Sequence, residues 1–138
     1  MDFGFLAPYR PQLLSVLRIM TGLLLFQFGV AKILKFPAVP MFANPPTISL
    51  VAGGIELVLG ALLIIGLFTR LSAFILAGEM ALAYFIGHMF KTGSAVFHPL
   101  LNGGTLAAMF CFACLYLASA GPGPWSVDAL RGAKGPQE

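Results

Sequence analysis

Long apolar stretches, broken only by short polar or proline-rich segments, dominate the chain. They run over about 12–34, 48–68, 71–90 and 101–120. A helix needs about 20 apolar residues to cross a hydrocarbon core of about 30 Å, so the pattern predicts four membrane-spanning helices. The interruptions have physical causes. Pro37, Pro40, Pro45 and Pro46 exclude regular helix from the first connector. Thr69 and Arg70 mark a tight turn, Lys91 to Pro99 is polar, and Gly121 to Pro124 ends the fourth stretch. Thr47 or Ser49 is placed to cap the second helix and Ser126 to cap a short surface helix. Trp125 suits an interfacial belt, and Gly135 to Glu138 reads as a frayed tail. The expected fold is all-α: an integral membrane four-helix bundle forming a single domain over 1–138, with spans one and two, and three and four, as helical hairpins.

Composition strengthens this reading. The 138 residues are 59% hydrophobic and only 9% charged, with a mean hydropathy of +0.92, too little polar surface for a water-soluble globule. Lipid is the expected solvent. The net charge of +3 comes from basic residues scattered at helix ends, which argues against nucleic acid as a partner. The first apolar stretch lacks a cleavage pattern and reads as a retained helix rather than a signal peptide. With an even number of spans, the termini and the Arg70 turn share one side, which carries Arg10, Arg18, Arg70, Arg131 and Lys134. Lys32, Lys35 and Lys91 lie opposite, so the positive-inside rule favours cytoplasmic termini.

Charge within a span costs about 2.5–3.5 kcal/mol on insertion scales, so Arg18, Lys32, Glu56, Glu79 and His88 each require a reason. At 100° per residue, Arg18, Gly22, Gly29 and Lys32 share one face of the first span, and Ser49, Ala52, Gly53, Glu56 and Gly60 share one face of the second. Small residues beside charges imply faces that meet other helices. By helical rise, Arg18 lies roughly 9 Å and Glu79 roughly 13 Å from the terminal-side end, which makes them a candidate inner ion pair. Glu56, roughly 12 Å from the opposite end, forms a candidate polar cluster with Lys32, His88 and Asn102. The bland alternatives are snorkelling of Lys32 and Arg18 to the two interfaces and purely structural roles for the carboxylates. No i, i+3 or i, i+4 ligand pair supports a metal site.

Cys111 and Cys114 form C-x-x-C on one face of the fourth span. Quinone-linked thiol oxidoreductases carry such a pair near the start of a helix. Here it lies near the midplane, where low dielectric disfavours the thiolate, and no second pair relays electrons. Packing is the expected role.

The stretch GGIELVLGALLIIGLFTRLSAFIL from Gly53 to Leu76 resembles the centre of the DoxX family, as does Arg18 followed by Gly29 and Lys32. GEMALAYFIGH from Gly78 to His88, LNGG from Leu101 to Gly104 and GPGPWSVDAL from Gly121 to Leu130 resemble a bacterial subgroup of it. The resemblance implies a four-helix inner-membrane protein. Its founding members are small subunits of a thiosulfate:quinone oxidoreductase, and other relatives are linked to membrane redox and oxidative-stress assemblies. The family's fingerprint falls on Arg18, Lys32, Glu56, Arg70, His88, Asn102 and Asp128; Cys114 lies outside it. By this resemblance the chain is expected to be a subunit of a quinone-linked redox or oxidative-stress assembly, accessory rather than a self-sufficient enzyme. Redox protein partners and quinone as the cofactor are implied with it, and homo-oligomerisation stays open. In such a subunit Lys32 or His88 would donate to a quinone carbonyl and Glu56 would relay a proton. The alternatives are a non-catalytic membrane scaffold or assembly factor and, third, a small-molecule transporter, which the lack of obvious discontinuous spans disfavours.

Overall fold

The computed structural model describes residues 3–132; Lys134 and the tail 135–138 lie outside the described residues. Every regular element among the described residues is helical. Helix α1 (Arg10–Gly29) continues a 3-10 turn (Gly4–Tyr9) and runs on into a π-helical turn (Val30–Leu34). It therefore begins earlier than the apolar pattern predicts: Pro11 stands at the start of α1, where a missing N–H breaks no helical bond, and Pro8 lies inside the preceding 3-10 turn. Lys35, in the left-handed region at φ 57°, turns the chain into the connector, which holds one short 3-10 turn (Pro40–Phe42).

Helix α2 (Thr47–Ile65) starts directly after Pro46, with Thr47 as its first residue and no side-chain cap. It stops three residues short of the predicted boundary. Gly66 adopts φ 72°, so that its own N–H and that of Leu67 both close onto the Leu62 carbonyl, at 2.8 and 3.0 Å. Helix α3 (Thr69–Leu82) continues as a second π-helical segment (Ala83–Met89). The predicted fourth span is divided in two: α4 (Pro99–Asn102) ends at Gly103, φ 75°, and α5 (Thr105–Ala120) follows. Helix α6 (Val127–Gly132) closes the described chain, with the Ala129 N–H bonded to the Ser126 hydroxyl at 3.0 Å as expected of a cap.

Gly4–Leu34, Thr47–Ile65 and Thr69–Met89 are long and apolar enough to cross a membrane, and α5, with 16 residues, is shorter. The most extensive packing is α1 on α2 and α3 on α5, two antiparallel hairpins joined mainly through α2 and α3. Small residues let the first pair approach backbone to backbone. A Cβ on Gly29 would lie 2.5 Å from the Leu57 nitrogen, and one on Gly60 would lie 2.9 Å from the Phe26 nitrogen. Leu25, Leu63, Leu76, Met80, Phe110 and Leu117 fill the interior, while Phe74, Met109 and Phe112 stand exposed on the outside. Arg18, Glu56, Ser72 and Thr69 are buried with the core. Charged and polar groups held inside, beneath an apolar exterior, are the arrangement that lipid favours.

Candidate functional site

The charged face of α1 meets that of α2 at Lys32 and Glu56. Lys32 stands in the π-helical turn, and its Nζ donates to both Glu56 carboxylate oxygens at 3.0 Å. Glu56 is nine residues into α2, about 14 Å from its start by helical rise, and only 2% exposed. Gly53, one turn earlier, leaves room for the lysine stem: a Cβ there would sit 2.7 Å from Lys32 Cβ. The rings of Phe28 and Phe42 enclose the ammonium, with centroids 5.9 and 5.5 Å away. An ammonium has three donors, and the two Glu56 oxygens take two of them.

Phe42 is also a wall of an open groove of about 430 Å³ beneath the proline-rich connector, lined by Ala31, Lys35, Val39 and Pro40. A smaller hollow of about 160 Å³ adjoins it along Gln27, Phe28 and Pro37. Lys35 holds this connector in place by donating to the Phe42 carbonyl at 2.8 Å. The arrangement is an apolar recess whose aromatic wall separates it from a half-buried ammonium.

The expected pairing of Arg18 with Glu79 is not formed. Arg18 is fully buried, but its guanidinium donates to backbone carbonyls: Nε to Leu63 at 2.9 Å, Nη2 to Trp125 at 2.6 Å and Nη1 to Pro122. The reason is depth. Because the first helix begins at Gly4, Arg18 lies level with the end of α2, where helix termini leave carbonyls without partners. Glu79 is ten residues inside α3, about 15 Å from that end, and its charged neighbours are Glu56 and Lys32.

The expected four-residue cluster divides. Asn102 belongs to the connector end of the α3–α5 hairpin, where its amide donates to the Val96 carbonyl at 2.7 Å and to the Tyr84 hydroxyl at 3.2 Å. Its carbonyl oxygen accepts from the Gly104 N–H at 2.7 Å. His88, half-buried in the π-helical segment, lies near Gly103. Among the described residues, no three His, Cys, Asp or Glu side chains group as metal ligands.

The sequence reading did not anticipate Tyr84, Phe28 or Phe42, which look like any other aromatic in an apolar stretch. Asp128 carried a signal, its place in GPGPWSVDAL, but not its role. It accepts from the Phe68 and Thr69 N–H groups at 2.9 and 2.8 Å and so caps α3 from outside that helix. Arg70 in turn donates to the Ala118 carbonyl at 3.2 Å and to that of Ser119, at the end of α5. Arg18 and Asp128 thus tie the loop 121–126 and α6 to the α2–α3 turn, and Arg70 ties the end of α5 to the same turn.

A helical membrane protein with a buried Lys–Glu pair at one end and a knot of backbone-bonded charges at the other is the class these features define. The DoxX family profile matches residues 13–89, which hold α1 apart from its first three residues and all of α2 and α3. A Haemophilus influenzae protein, itself uncharacterized, is 43% identical over 126 residues, covering 89% of this chain and 93% of its own. The chain belongs to the DoxX family. No solved structure matches it.

Proposed function

We propose that this protein is a subunit of a quinone-linked redox assembly in the bacterial inner membrane, with its termini in the cytoplasm, and that quinone reaches Lys32 from the groove beneath the connector. The observation that carries this is the enclosure of the Lys32–Glu56 pair by Phe28 and Phe42 beside that recess. The groove's size falls within the range of about 300–1,000 Å³ usual for small-molecule sites, and its walls suit an isoprenoid-bearing ring. Lys32 holds the hydrogen-bond donor left over from its pair, and displacement of Phe42 would bring that donor to a ring carbonyl. Glu56 fixes the position of the ammonium. Quinone supplies membrane-soluble two-electron, two-proton chemistry; the electrons are assigned to a redox protein partner.

The test is purification of the full chain in mild detergent, identification of co-extracted quinone and partners, and titration with a short-chain quinone. Saturable binding that Lys32→Met weakens at least tenfold, with folded yield maintained, is the expected result. Absence of both bound quinone and saturable binding would sink the reading, and recovery of varied client proteins instead would favour the scaffold. Reporter fusions in the 91–99 loop and after Gly132 should lie on opposite sides of the membrane, the latter inside.

A further inference from the structure

Glu79 is half-buried, but its carboxylate lies inside the bundle, where the ion pair alone does not account for it. Both its carboxylate oxygens are shielded from solvent and receive no hydrogen bond from a donor group among the described residues. What stands within hydrogen-bonding reach is the Glu56 carboxyl group, with Lys32 next beyond it. On the α5 side the titratable groups are the Cys114 thiol, in the electrostatic field of Glu79, and Cys111 beside it. Arg18 is remote, with its donors spent on backbone carbonyls.

Two ionised carboxylates are acceptors only, so a contact between them is a hydrogen bond only when a proton lies in it. Charge leads to the same place. Lys32 brings one positive charge and the two carboxylates two negative ones, which leaves an uncompensated charge in a region where ions are costly to bury. A metal cation is a poor answer, because the Lys32 ammonium already occupies both oxygens of Glu56 and would repel it.

We propose that Glu56 and Glu79 share one exchangeable proton, making Lys32, Glu56 and Glu79 an electroneutral proton-binding site inside the bundle. With the proton in place, the Glu79 hydroxyl donates to Glu56, and Glu56 still holds Lys32. Its release leaves Glu79 to compete with Glu56 for the lysine. Neither quinone nor a redox partner is needed for this proton, so the site and the redox reading fail separately.

Infrared difference spectroscopy of the full chain in lipid nanodiscs tests it. At neutral pH the wild type should show the carbonyl stretch of a protonated carboxylic acid, shifted in heavy water. Glu79→Gln should abolish the band while folding at normal yield, since its amide offers Glu56 the N–H that replaces the proton. Glu56→Gln should also abolish it, because Glu79 then ionises as the partner of Lys32, whereas Asp128→Asn should leave it unchanged. A folded wild type without the band, or a band that survives either Glu→Gln change, overturns the proposal. So does a Glu79→Gln protein that fails to fold while Glu79→Asp folds, for the carboxylate charge itself would then be required.

Discussion

Replacing Glu56 by glutamine keeps shape and volume and removes one charge from the Lys32 pair. Stranding one partner of a buried ion pair costs about 3–5 kcal/mol. Here the expected loss is smaller, about 1–2 kcal/mol, because Glu79 lies close enough to become the new counter-ion. The full cost should surface only when Glu79 is also changed. Glu56→Gln with Glu79→Gln leaves Lys32, 13% exposed, facing amides alone, and the loss should then reach about 3–5 kcal/mol. Glu79→Gln alone should cost under about 1 kcal/mol, so the double change should exceed the sum of the single ones by about 2 kcal/mol. Adding Lys32→Met removes the stranded cation and should recover most of the deficit. Reversible unfolding in mixed detergent micelles, followed by circular dichroism and by Trp125 fluorescence, measures each step. A double variant no less stable than Glu56→Gln would refute the claim that Glu79 is the reserve partner.

Three further outcomes are expected. Arg18→Met takes the guanidinium donor from the Pro122 and Trp125 carbonyls, each worth about 1–3 kcal/mol if buried and unsatisfied, while Leu63 keeps the Gly66 N–H, and should shift unfolding by at least about 2 kcal/mol; Arg18→Lys, which cannot span the three acceptors, should rescue only part of that loss in the same titration. Asp128→Ala should cost about 1–2 kcal/mol by uncapping α3 and should expose the 121–132 segment to limited proteolysis, whereas an unchanged cleavage pattern would show that the cap does not hold that segment. Substituting both Cys111 and Cys114 by Ala should cost about 1 kcal/mol through the small cavity at the fully buried Cys114 and leave quinone binding unaltered, as read by the same titrations.

Features that depend on local pattern are written directly into the order of residues. Apolar length specifies membrane-spanning helices, prolines and glycines specify their interruptions, and helical periodicity gathers Gly22, Gly29 and Lys32 on one face of the first helix and Gly53, Glu56 and Gly60 on one face of the second. Lys32 and Glu56 are legible as members of one polar cluster because both lie on small-residue faces suited to helix contact, but their pairing with each other is read from the packed helices. Helix ends are less legible: the left-handed Gly66 cap shortens α2, and the start of α3 is set by Asp128, a residue 59 positions away from Thr69. Depth is hidden for the same reason. Counting rise from an assumed start puts Arg18 near Glu79, but the relative heights of helices depend on where each docks against its neighbour. It took the packed helices to establish that Arg18 serves backbone carbonyls, that Glu79 faces Glu56, and that Asn102 holds a loop rather than joining Lys32. A periodic pattern reports which side of a helix is buried; which atoms lie across from it is a property of the assembled bundle.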